Sequence, residues 1–166
     1  MSKYVFPTTF AQQRLWFLEQ LQPGSISYLV PWSLRISGKL NLPALEQSLN
    51  EIVRRHEVLR TTFSWKDGMP VQVIAGALSI PLPVLDLSFL EGPETQAENL
   101  AREEARKPLD LEKGPLVRAK LLRLAPEEHT LLLTMHHIVF DGWSRRVLVR
   151  ELAALYEAFC LSLIHI

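Results

Sequence analysis

From residue 28 to 37 apolar and polar positions alternate: Val30, Trp32, Leu34 and Ile36 against Pro31, Ser33, Arg35 and Ser37. Period two predicts a half-buried strand, with Pro31 near its start. The spacing then changes. Asn41 is placed to cap a helix with Pro43 in its first turn, and Leu45, Leu49, Ile52, Val53, His56 and Leu59 form its buried stripe. Upstream, Thr9 and Gln12 have the form of a capping box, and Ala11, Leu15 and Leu18 predict a short helix to about Leu21. Phe63 and Trp65, then Val71 and Val73, alternate on either side of Asp67-Gly68 and predict a hairpin with a tight turn.

Residues 79–88 carry prolines at 81 and 83 and read as loop or edge strand. A peripheral helix over about 94–106 buries only Ala97, Leu100, Ala101 and Ala105. Lys107-Pro108 stops it, and Gly114-Pro115 leads into strands at 116–124 and 130–137 joined by a polar turn. The second of these is apolar on both faces and is expected to be central. Beyond Asp141-Gly142, helical spacing returns at Val147, Leu148, Leu152, Leu155, Tyr156 and Phe159. This order of elements predicts one α/β domain, a two-layer sandwich with a mixed sheet.

Composition narrows the function. The 166 residues are 48% hydrophobic and 22% charged, enough for a core of ordinary size. Eighteen basic and eighteen acidic side chains cancel and form no basic block, so neither nucleic acid nor a membrane surface is an expected partner. A single cysteine, Cys160, precludes an internal disulfide framework and fits a reducing compartment. With no signal-peptide core and no spanning run, the chain is expected to be cytoplasmic.

The chemistry-bearing residues concentrate at 131–144, LLLTMHHIVFDGWS. On a strand, neighbours point to opposite faces, so His136 and His137 cannot both face one substrate if the strand reaches His137. The pattern leaves open which of them meets a cleft. Asp141 is placed to accept from an imidazole or to pair with an arginine, Gly142 to permit a backbone angle or a close approach, and the following helix end to stabilise an oxyanion. Each has a plainer reading: a hydrogen-bonded core histidine, and an Asp-Gly pair that only turns. Adjacent strand histidines diverge, and no metal-ligand spacing is present. Ser144 lacks a nucleophile elbow, and Cys160 has no cationic helical neighbour. In residues 54–63, RRHEVLRTTF, the arginines suit a helix C-terminus and His56 reads as packed.

Three segments in order, TFAQQRLWFLEQL (9–21), RRHEVLRTTF and MHHIVFDGWS (135–144), resemble the first signature motifs of condensation domains of nonribosomal peptide synthetases. PLDLEKGPLVRAKLLRL (108–124) is similar to the family's stretch before the histidine strand. The resemblance implies a chloramphenicol-acetyltransferase-like acyltransferase of two lobes flanking a tunnel, of which residues 1–159 are the N-terminal lobe only. Donor and acceptor thioesters would arrive on phosphopantetheine arms of carrier proteins, with no cofactor bound directly. It further implies the missing C-terminal lobe and an adenylation domain as partners. Carried over by position, His137 is the catalytic general base or amine-orienting residue, and Gly142 lies near the reacting carbonyl. His136 supports, and Asp141 is structural, with Arg60 as its expected arginine partner.

The chain holds fewer than half the residues of the family pattern, and the apolar ending CLSLIHI departs from it. Residues 160–166 are therefore read as a truncated or non-native tail, and the isolated fragment is expected to be inactive. Two readings stand beside condensation: an epimerization domain, which shares the histidine motif, and a non-catalytic lobe that docks carriers. A heterocyclization domain would carry Asp where His136 stands.

Overall fold

In the computed structural model, which describes residues 3–161, the predicted strands pair into two sheets. The first is small and antiparallel. It contains an exposed strand absent from the pattern-based reading, β1 (Lys3–Pro7), whose three apolar residues are too short a run to signal a period. Thr9 and Gln12 then form the expected capping box on α1 (Phe10–Leu21). Its buried side differs from expectation: Trp16 and Glu19 are sealed, while Ala11 is exposed and Leu15 and Leu18 are half-buried. The run Leu15-Trp16-Phe17-Leu18 is apolar all round, so periodicity could not choose a face.

β2 (Leu29–Ser37) follows, then α2 (Leu42–Arg55), where Asn41 Oδ1 accepts from the Ala44 N–H at 3.1 Å and Leu45, Leu49, Ile52 and Val53 of the predicted stripe are buried; His56, expected in the same stripe, lies past the helix end and is half-buried. A single 3₁₀ turn at Glu57–Arg60 leads into the hairpin β3 (Thr61–Lys66) and β4 (Met69–Ala75). Its turn places Asp67 at φ 50° and Gly68 at φ 83°, the two left-handed positions that a two-residue hairpin of this hand requires. β1 and β3 flank β4.

The second sheet has the order β2-β7-β6-β5, with β5 (Val84–Asp86), β6 (Val117–Ala125) and β7 (Glu128–His136). β5 runs parallel to β6 and the other pairs are antiparallel, which makes the sheet mixed. β7 is interior, as its two apolar faces required. Its odd-numbered side chains Leu131, Leu133 and Met135 join α2 and α4 (Ser144–Cys160) in the main core. Leu132 lies on the other face with Leu122, Leu124 and Ala97 of the peripheral α3 (Pro93–Glu104). No helix among the described residues is long and apolar enough to cross a membrane. Of the expected tail, residues 162–166 lie outside the described part.

The pattern did not foresee the ion cluster at the end of α3. Glu104 is 4% exposed, and its Oε1 receives Lys107 and Lys120, both at 2.6 Å, with Arg118 at 3.1 Å from Oε2. Burial opposes ionisation, but the two lysine ammonium groups outweigh it and hold the carboxyl at about 2. A carboxyl lowered on folding stabilises the native state above its unfolded value of 4.5, and that contribution is lost as pH falls towards 2. The shift corresponds to about 3 kcal/mol. Denaturant titrations across this pH range are expected to show the decline, and Glu104→Gln to flatten it in part, the remainder belonging to Glu51, which Arg54 and Arg55 also hold at about 2, and to the lowered carboxyls of Asp86, Asp110, Glu128 and Asp141. An unchanged slope in the variant would remove the cluster from the account.

Candidate active site

β7 ends at His136, so the two histidines do not share a strand; His137 is the first residue beyond it. The backbone continues the pairing for one more step, with the His136 N–H donating to Leu116 O at 3.1 Å and the His137 N–H to Tyr28 O at 2.8 Å. The chain then turns, the Val139 N–H donating back to His136 O at 3.0 Å. Ile138, Val139 and Phe140 are each buried and pin this turn into the core. In the run from 131 to 140, His137 alone is exposed.

His136 is fully buried, beside the Tyr28 ring. Its Nδ1 accepts from the Ile138 N–H at 3.1 Å, which places the ring proton on Nε2. Burial, with His137 adjoining, pushes its pKa down to about 4, so the ring is neutral at any ordinary pH. A neutral, enclosed imidazole bonded to the turn that presents His137 can hold geometry. It offers no open path for proton exchange with a substrate.

Asp141 has a different partner from the one expected. Its Oδ1 accepts from the Ser144 N–H at 2.8 Å and the Ser144 hydroxyl at 2.7 Å, closing the first turn of α4. These bonds hold its carboxyl below the usual range. A carboxylate here also suits the positive end of the helix. One N–H at the helix end expected to stabilise an oxyanion, that of Ser144, is thus taken by Asp141.

The expected Arg60–Asp141 pair is not formed. Arg60 donates to Ala75 O and pairs with Glu57 at 3.1 Å, tying the 3₁₀ turn to β4. Gly142 has no left-handed backbone angle and nothing within 4 Å of where a Cβ would stand. Conformational need therefore does not explain this glycine, and the space beside it is open.

Three residues near the site have partners that the sequence reading did not assign. Tyr28 supplies the carbonyl that fixes the His137 backbone and the ring that adjoins His136. Ser144 fills the Asp141 cap. His56, read as packed, is half-buried and bonds Glu151 across α2 and α4 at 2.7 Å, a partner 95 residues away that no local pattern reveals. Beside this bridge a cavity of about 130 Å³ lies behind the loop, lined by Ile52, Leu59, Val139, Phe140 and Leu148. Among the described residues no cluster of three His, Cys, Asp or Glu side chains could hold a metal ion.

Comparison with known proteins adds independent findings. The condensation-domain family model matches residues 2–160. A linear gramicidin synthase of Brevibacillus parabrevis is 49% identical over 92% of this chain, and chondramide synthase of Chondromyces crocatus 48% identical over 95%. The chain spans 3% and 4% of those two relatives. Among solved structures, the starter condensation domain of rhizomide synthetase superposes with a TM-score of 0.89 at 29% identity, covering 96% of this chain and 40% of that one. The first condensation domain of the CDA synthetase gives 0.88 at 28% identity, covering 97% and 42%.

Proposed function

The chain belongs to the condensation-domain family, an α/β acyltransferase fold of nonribosomal peptide synthetases, and from its site we infer that it is the N-terminal lobe of a domain that forms amide bonds between carrier-bound thioesters. The observation that carries this reading is the exposure of His137 at the end of a buried strand, with every neighbour in the run sealed.

In the proposed reaction the acceptor amine attacks the donor thioester carbonyl carbon. A C–N bond forms, the C–S bond breaks, and the amine proton passes by way of the His137 imidazole to the departing thiolate. General-base help of this kind contributes about 10² to 10⁴ in rate. His136 holds the turn without changing charge, Asp141 fixes the start of α4, and the open space at Gly142 receives the reacting carbonyl. Arg60 braces the neighbouring hairpin. The phosphopantetheine arms belong to donor and acceptor carrier domains; an adjacent adenylation domain and the C-terminal lobe complete the cytoplasmic assembly. This lobe by itself offers half a cleft, so the 166-residue chain alone is expected to show no turnover.

A solved relative supports the substrate class. The starter condensation domain of rhizomide synthetase was crystallised with C8-CoA and Leu-SNAC, in a form with a histidine and an arginine eight positions apart replaced. The same separation divides His137 from Arg145, whereas Ser144 stands eight positions after His136. The test is mass spectrometry of the acceptor carrier after mixing the synthetase that contains this segment with loaded donor and acceptor carriers. An amide-linked product is expected. Racemisation without bond formation would replace this reading by epimerization, and carrier binding with neither reaction by a docking lobe.

A further inference from the structure

Among the described residues two hydrogen bonds tie α2 and its caps to α4. At one end the Asn41 N–H donates to the Tyr156 hydroxyl at 2.9 Å. At the other the His56 Nε2–H donates to Glu151 Oε2 at 2.7 Å, since a carboxylate offers only acceptors. Leu45, Leu49 and Ile52 of α2 share the main core with Leu148, Leu152, Leu155 and Phe159, so most of α4 is held by packing as well.

The start of α4 has less to hold it. From Asp141 to Val147 no side chain is buried. Its first turn carries Arg145 and Arg146 and no acid, which the positive end of a helix disfavours. The cavity of about 130 Å³ lies here, lined by Ile52, His56 and Leu59 from α2 and the turn after it and by Val139, Phe140 and Ser144 from the histidine loop and α4. Packing is therefore incomplete where α2 meets that loop. Besides the Arg145 guanidinium, 5.9 Å from the centre of the Trp32 ring, the bond from His56 to Glu151 is the polar contact nearest the start of α4 that reaches another element among the described residues. Glu151 stands one turn beyond Leu148, the first buried side chain of the helix.

We propose that His56 and Glu151 are positioning residues for the amide-forming reaction inferred above, their bridge fixing where α4 begins and with it the turn that presents His137. Neither residue touches substrate. The connection is short: Val139 and Phe140, which carry the chain on from His137, line the same cavity as His56, and Gly142 lies two residues before α4. Without the bridge the cavity leaves room for these side chains and the first turn of α4 to move inward, so the imidazole and the space beside Gly142 shift relative to each other. A displacement of about 1 Å in an assembled site costs up to about 10² in rate.

The test compares variants of the synthetase that carries this segment. His56→Ala and Glu151→Ala are each expected to lower the single-turnover rate of amide formation about tenfold, with the donor concentration for half-maximal rate within about twofold. The double substitution should be no slower than either, because both remove one interaction. His56→Gln, whose amide N–H can donate to Glu151, should recover the rate to within about threefold, while His56→Leu, which fills space without a donor, should be as slow as His56→Ala. Tyr156→Phe removes the tie at the far end and should leave the rate within about twofold. A second readout needs no reaction: the Gly142 amide resonance in nitrogen-15 spectra of the 166-residue chain should move in His56→Ala and Glu151→Ala and return in His56→Gln. A rate within about threefold of the unsubstituted protein in His56→Ala, a rate in His56→Gln as low as in His56→Ala, or an unmoved Gly142 resonance would each overturn the proposal. Absence of amide product from the unsubstituted synthetase would remove the reaction instead, and the Gly142 resonance would then decide by itself whether the bridge sets the start of α4.

Discussion

Replacing His137 by alanine in the synthetase that carries this segment is expected to slow single-turnover amide formation by about 10² to 10⁴, the usual worth of a positioned acid–base group. The same substitution should leave thermal stability within about 0.5 kcal/mol, because the side chain is exposed and packs no core. This combination separates chemistry from folding. The readout is amide product on the acceptor carrier in quenched-flow samples, with a melting curve on the same preparation. A rate within about threefold of the unsubstituted protein lies below any general-base contribution and would end the assignment. His136→Ala is a contrast: removing a fully buried ring that accepts from the Ile138 N–H should cost stability and rate together.

The second large effect concerns stability. Phe63 is fully buried, and it is the one residue of the three-stranded sheet in the main core cluster; Val71 and Ile74 of the same sheet are buried outside it. Its N–H also donates to Leu111 O at 2.7 Å, binding β3 to the segment before β6. Phe63→Ala is therefore expected to cost about 3–5 kcal/mol, the range for a large aromatic truncated in a core that cannot fully close. In a domain of this size that lowers Tm by roughly 10–15 °C. Phe10→Ala, at a site 91% exposed, should change stability by less than about 0.5 kcal/mol. Urea denaturation of the two variants side by side checks both, and equal stabilities would mean that the small sheet is not anchored through Phe63.

Elements with a clean period or a paired cap were legible from residues alone. The alternation of β2, the Asn41 cap and stripe of α2, the Asp67-Gly68 turn and the double apolar character of β7 each state a local rule that the fold obeys. What escaped is of another kind. β1 is held by pairing with β4 from Lys3 against Ala75 to Pro7 against Val71, and nothing in its own five residues announces that partner. Glu104 and His56 are fixed by side chains that come from other elements. Which face of α1 turns inward depends on how its aromatic run meets the sheet.

The site was half legible. Alternation required the two histidines to part, and they do: the strand stops at His136 and three buried side chains carry the turn beyond it, which leaves His137 exposed, while the choice of His137 as the working residue rests on family position. The partner of Asp141 was not legible. A carboxylate three residues before a serine at a helix start is a local capping signal, and it competes with any distant arginine.

The end of β7 also sets the tempo of the site. Its backbone is paired on both sides, Leu29 standing opposite His136 on β2 and Val117 opposite Met135 on β6. Amides in such a doubly paired strand open to solvent only when much of the domain opens with them, while a surface loop rearranges far more often. The boundary between the two regimes falls between His137, whose amide is still held by Tyr28, and Asp141, whose cap reaches only Ser144. The His137 backbone is thus held as firmly as the central strand that carries it, and hydrogen exchange is expected to reach the amides at the start of α4 before that of His137.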